Sequence, residues 1–117
     1  TYMSDLLPSL PGERIVVVAI NEDGILGAIG AAAQQGRADD LFYAGQGVDP
    51  SIWPTIACDP QYIASVGYFP ERYGRTVVPA MIDIINGEEV ASPLFTVHEI
   101  VTSENIRDIY PEIPACE

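Results

Sequence analysis

Hydrophobic and polar positions alternate between a strand-like and a helix-like period along this chain. Asp5-Leu6-Leu7-Pro8 reads as the tail of a helix, stopped by Pro8 and by the turn at Pro11-Gly12. From Ile15 to Ile20 every residue is apolar and most are β-branched, which predicts a strand buried on both faces, as in a parallel sheet. Asn21-Glu22-Asp23-Gly24 then supplies a cap and early acids for a helix with the stripe Ile25, Leu26, Ile29, Ala32 and Ala33, closed by Gly36. Leu41-Phe42-Tyr43-Ala44 predicts a second strand, ending at Gly45-Gln46-Gly47. A short helix after Asp49-Pro50 is expected to break or kink at Pro54, and Tyr62 to Val66 predicts a third strand. Pro70 is placed to open a long helix at its first position, where a missing N–H costs nothing. The stripe of that helix is Tyr73, Val77, Ala80, Met81, Ile84 and Ile85; Gly87 stops it, and Pro79 inside it should bend it. A last extended segment falls between Leu94 and Val101, and Ser103, Ile106 and Ile109 predict a helical turn before Pro111. Strands alternating with helices predict an α/β chain: a Rossmann-like parallel sheet with flanking helices.

Composition narrows the function. At 117 residues the chain is one domain's length, and 48% apolar residues with 19% charged ones exclude a disordered acidic tail. No stretch approaches the roughly 20 apolar residues of a membrane helix. Thr1-Tyr2-Met3 has no basic n-region and no apolar h-region, so no signal peptide is expected within this stretch. Five basic residues, all arginine, stand against seventeen acids, for a net charge of −12. A polyanion would be repelled, so no nucleic-acid partner is expected. Cys58 and Cys116 have neither metal nor Cys-x-x-Cys spacing, and His98 is the single histidine, so no zinc set exists. The two cysteines are either a disulfide of an oxidising compartment or two unrelated thiols. A Cys58–Cys116 bridge would pin the C-terminal tail.

In open parallel sheets ligands bind beyond the carboxyl ends of the strands. Three segments qualify: Asn21-Glu22-Asp23-Gly24, Gly45-Gln46-Gly47-Val48-Asp49 and Gly67-Tyr68-Phe69. Their amides, carboxylates and rings suit a neutral polyhydroxy ligand, which needs paired hydrogen bonds and a flat face to stack on. Asn21 and Asp23 are equally readable as plain helix caps. Gly45-x-Gly47 fails as a dinucleotide loop, because Pro50 stands where the third glycine belongs. There is no phosphate loop, no lysine and no Gly-x-Ser-x-Gly elbow. His98 reads as a satisfied structural histidine rather than a base, and Trp53 and Tyr43 as core. No cofactor motif is present, and nothing assembles into an enzyme.

Asn21-Glu22-Asp23-Gly24-Ile25-Leu26-Gly27-Ala28, then Gly36, then the strand ending at Gly45, resembles the "Asn-Asp … Gly-Ala … Gly … Val-Gly" run of type I periplasmic sugar-binding proteins. Ile63-Ala64-Ser65-Val66-Gly67-Tyr68, Pro70, Gly74 and Asn86-Gly87-Glu88 continue the likeness. Val101-Thr102-Ser103-Glu104-Asn105-Ile106 is similar to the family's "Val-Thr-x-Glu-Asn-Val" segment. That family has two Rossmann-like lobes joined by three hinge crossings, with the ligand clamped between them.

The resemblance implies that this chain is the C-terminal portion. Residues 1–69 would belong to the second lobe, and residues 70–117 would hold a hinge crossing, a first-lobe helix and the tail. It implies a small sugar or related polar solute as ligand, ABC permease subunits as partners and a periplasmic or extracytoplasmic location. Asn21 matches the family's sugar-binding asparagine. The family's aspartate after the strand-ending glycine falls on Gly47, leaving Gln46 or Asp49 as its substitute. Its hinge glutamine falls on Tyr68, which would stack on the ligand or close over it. The lactose-repressor family uses the same fold as an effector-binding domain and stands as the alternative; an α/β enzyme is a third reading. Without a first-lobe sheet the stripe of residues 70–86 would be an association site, and a swapped homodimer is expected.

Overall fold

The computed structural model describes residues 2–116. Three parallel strands and one antiparallel strand form a single sheet in the order β1-β2-β3-β4. These are β1 (Ile15–Val18), β2 (Leu41–Gly47), β3 (Tyr62–Gly67) and β4 (Glu99–Val101). β1 pairs with β2 and β2 with β3 in parallel, while β4 runs antiparallel to β3 through Ser65–Val101, Val66–Ile100 and Gly67–Glu99. The helices are α1 (Tyr2–Leu6), α2 (Glu22–Gln34), α3 (Trp53–Cys58), α4 (Gly74–Ile85) and α5 (Ile106–Ile109).

Period and pleat decide what is buried. Ile25, Ala28 and Ala32 recur at helical spacing on α2 and meet Leu41 and Tyr43, alternate residues of β2. Ile56 from α3, Val101 from β4 and Ile106 from α5 complete the same core. All these helices therefore lie on one face of the sheet. Arg37 closes the N-terminal end, donating to the carbonyls of Leu7 at 2.7 Å and Gly12 at 2.6 Å and pairing with Asp40 at 2.7 Å.

The other face is bare, which corrects the expectation of a strand buried on both sides. Val16 is 60% exposed, Val18 73% and Ile100 59%. A run of β-branched residues specifies a strand, but whatever covers its second face must come from elsewhere.

Two boundaries also differ from expectation. Pro70 opens a 3-10 turn, Pro70–Arg72, and the helix starts only at Gly74. Phe69, the residue before Pro70, has φ +52, and the turn it caps closes through the Arg72 amide on the Phe69 carbonyl at 2.9 Å before the α-helix begins. β1 ends at Val18, although the amide of Ala19 still donates to the Ala44 carbonyl at 3.1 Å.

Since β3 leaves the sheet where β4 enters it, residues 68–98 make an excursion beyond one end of the strands. That excursion carries α4, none of whose residues is buried. The molecule measures 60 × 32 × 18 Å with a radius of gyration of 18.3 Å. A compact chain of this length would have about 13 Å. A disulfide joins Cys58 to Cys116, with Cα atoms 5.4 Å apart, so of the two readings of this pair the bridge holds, and it pins the C-terminal tail. Among the described residues no helix is long and apolar enough to cross a membrane.

Candidate functional site

The carboxyl ends of β1, β2 and β3 bring together the three loops singled out in the sequence. Asn21 follows β1 in extended conformation and caps α2, its Oδ1 accepting the Gly24 amide at 3.1 Å. The cap uses only the oxygen. The side-chain NH2 of this exposed residue has no partner among the described residues, so the cap leaves it able to donate.

At the ends of β2 and β3, Tyr68 donates its hydroxyl to Gln46 Oε1. The Tyr68 ring is tilted against the His98 imidazole with centroids 5.1 Å apart, and His98 Nε2 lies 3.3 Å from Thr96 Oγ1. The structure thus brings Gln46 and Tyr68 into one cluster and adds His98, which the sequence reading had assigned a purely structural place. No motif marks His98 because it arrives from the far side of the long excursion.

Asp49 does not join them. It is exposed on the rim of a separate cleft of about 250 Å³ floored by Trp53 and Tyr110, whose rings stack with centroids 4.1 Å apart. The Tyr110 hydroxyl reaches Glu71 Oε1 at 3.3 Å. Burial pushes that phenol up from its usual value of 10, and the charge of Glu71 pushes it further.

Beneath these loops sits Glu22, a second residue the sequence reading passed over as an early helix acid. It is 1% exposed. Its Oε1 accepts the Val48 amide at 2.7 Å and the Ser65 hydroxyl at 2.9 Å, while Oε2 has no hydrogen-bond partner. One carboxylate at the start of α2 therefore ties the β2–α3 loop to β3. Its negative charge sits at the helix N-terminus, where the backbone dipole favours it.

The same carboxylate explains Gly47, where the resembled family carries an aspartate. Gly47 has φ +125, and a Cβ there would overlap Glu22 Oε2. A second acid would meet both a left-handed backbone and a buried like charge. Val48 is held at φ +65, unusual for a β-branched residue. Glu22 grips its amide, and Trp53 Nε1 donates to its carbonyl at 2.9 Å. Both positive-φ side-chain residues, Val48 and Phe69, sit just past strand ends, in the loops that form the candidate site. The arrangement at the strand ends offers neutral donors, acceptors and a ring.

No family model and no curated protein matches the chain. Solved structures do. A periplasmic solute-binding protein of an ABC transporter from Actinobacillus succinogenes 130z, with bound D-allose, superimposes with a TM-score of 0.80 at 17% identity over 92% of this chain. A solute-binding protein from Bacillus halodurans C-125 with bound myo-inositol matches at 29% identity and a TM-score of 0.77 over 94%. The arabinose-binding component from Shewanella sp. ANA-3, bound to L-arabinofuranose, matches at 21% and 0.76 over 95%. These are transport proteins rather than enzymes, and the chain spans only 37% of the length of each. The chain carries the type I periplasmic-binding-protein fold of the sugar-binding proteins of ABC transporters, in a portion amounting to about 37% of their length.

Proposed function

We propose that this chain supplies one wall of an extracytoplasmic sugar-binding site whose ligand is handed to an ABC permease. The observation that carries the reading is the set of neutral groups at three parallel strand ends: the Asn21 amide, the Gln46 carboxamide and the Tyr68 phenol. A polyol offers each of its hydroxyls as donor and acceptor at once, and such groups answer both roles without introducing charge. The solved structures that share the fold hold D-allose, myo-inositol and L-arabinofuranose, which are uncharged polyols and sugars. The Cys58–Cys116 disulfide supports an oxidising compartment.

Titration calorimetry of the complete protein that contains this chain, against D-allose, myo-inositol and L-arabinose, tests the reading. At least one should bind, and Asn21→Ala should weaken that binding about tenfold, the loss of one buried hydrogen bond worth about 1–3 kcal/mol. Unchanged affinity in Asn21→Ala would reduce that residue to a helix cap. Absence of heat with every polyol would sink the sugar reading.

A further inference from the structure

An acid in the first turn of a helix ordinarily stays in water, but the Glu22 carboxylate turns inward. Among the described residues it is the one charged side chain that is buried. Burying a carboxylate is costly unless its oxygens are hydrogen-bonded, and here Oε2 has no partner. The sheet makes room for it. Leu41, Tyr43, Gly45 and Gly47 are alternate residues of β2, and the last two have no side chain to fill the covered face. A Cβ on Gly45 would stand 2.8 Å from the Tyr62 hydroxyl, and one on Gly47 would overlap Glu22 Oε2. A carboxylate carried by the helix after β1 therefore passes the end of β2 and reaches Ser65 on β3.

Its contacts fall beside each candidate ligand group. Asn21 precedes Glu22 directly in the chain. The Val48 amide that Glu22 accepts lies just past Gln46, and the Ser65 hydroxyl lies just before Tyr68. Gln46 and Tyr68 close the ring through their own hydrogen bond. Val48 is the critical anchor, because a β-branched residue at φ +65 persists only where its surroundings hold it. Trp53 holds its carbonyl, on the side away from Gln46, and Glu22 holds its amide, on the side towards Gln46. Without that acceptor Val48 is free to return to negative φ. The rotation would move the preceding peptide, and Gln46 with it.

We propose that Glu22 is a positioning residue of the candidate site: acting through Val48, it holds the Gln46 carboxamide in register with Asn21 and Tyr68. The proposal rests on the reading that these three groups face a sugar, so one arm of its test needs no sugar. In the complete protein that contains this chain, calorimetry with D-allose, myo-inositol and L-arabinose measures the affinity for whichever binds. Glu22→Ala should weaken it at least ~tenfold. Glu22→Gln keeps an acceptor for the Val48 amide and should stay within about twofold of wild type. Gln46→Ala should weaken the wild type about tenfold, yet weaken Glu22→Ala by less than about threefold, because the carboxamide it removes has already left the site. A residue that only stabilised the fold would give additive losses. In the ligand-free protein, the side-chain amide resonance of Gln46 should move in Glu22→Ala towards that of a freely solvated glutamine. In Glu22→Gln it should stay in place.

Unchanged affinity in Glu22→Ala overturns the proposal. So do additive losses in the double variant, a Glu22→Gln loss as large as that of Glu22→Ala, or a Gln46 resonance that Glu22→Ala leaves in place. If none of the three sugars binds, the sugar reading falls, and the resonance alone decides whether Glu22 holds Gln46. Should Glu22→Ala fail to fold, Glu22→Met fills the same space without an oxygen acceptor and replaces it in every arm.

Discussion

Glu22 shows how a single buried side chain can fasten a helix start to a neighbouring loop and strand. Its carboxylate is desolvated, and one oxygen receives both available hydrogen bonds while the other receives none. Removing it by Glu22→Ala would strand the Val48 amide in a buried site and cost about 1–3 kcal/mol. Glu22→Gln keeps an acceptor of the same shape and removes a buried charge, so it should cost less than the alanine variant. Urea unfolding of both variants measures this, with a fall in midpoint at unchanged slope. Hydrogen exchange at the Val48 amide should accelerate in Glu22→Ala and stay slow in Glu22→Gln. If the alanine variant is as stable as wild type, the carboxylate is not the tie. This part of the site was invisible in the sequence. Nothing in Asn21-Glu22-Asp23 tells which acid turns inward, because that depends on where β2 and β3 bring Val48 and Ser65.

At the scale of elements, the strand ends that carry Asn21, Gln46 and Tyr68 were legible. β-branched runs and helix stripes are local signals, and the loops between them follow. What covers each element was not legible. The run from Ile15 reads the same whether one face is covered or two, and the stripe on α4 reads as core although none of its residues is buried. The antiparallel direction of β4 depends on a return path of some thirty residues (68–98), which no local pattern encodes. The disulfide belongs at this scale too. It closes a separation of 58 residues and fastens the C-terminal segment to the end of α3. Arg107 reinforces it, donating to the Pro114 carbonyl at 3.0 Å. By loop entropy the bridge contributes about 4 kcal/mol, and engineered removals usually give somewhat less. Cys58→Ser with Cys116→Ser should therefore lower unfolding stability by about 2–4 kcal/mol. Exchange should also rise at the amides around Tyr110, loosening the Trp53 stack. The intensity of Trp53, the only tryptophan, reports that loosening directly. Unchanged fluorescence would mean that α5 is held by its own packing through Ile106.

For the whole molecule, three phenols couple folding to alkaline pH. Burial raises Tyr43, with Asp59 adding to the push. Burial likewise raises Tyr62; the Ser65 hydroxyl pulls it partly back, and Glu22 adds to the rise. Tyr110 is raised by burial and then by Glu71. All three stand on the covered side of the sheet, where a phenolate would lose water, and only at Tyr110 does a cation, Arg72, pull partly back. In the unfolded chain each would ionise near its ordinary value of about 10. A group whose folded pKa lies above its unfolded one contributes stability that is complete below the unfolded value and is lost as pH rises. Unfolding free energy should therefore be insensitive to these groups up to about pH 9 and fall steeply above pH 10, in a chain that already carries −12. Urea titrations between pH 8 and 11.5 follow the stability, and absorbance near 295 nm follows the phenolates. The late-ionising phenols should appear together with the loss of ellipticity, and at lower pH as urea rises. Full ionisation of all six tyrosines while the ellipticity stays native would show that these rings are open to water, and the core on the covered face would then need redrawing.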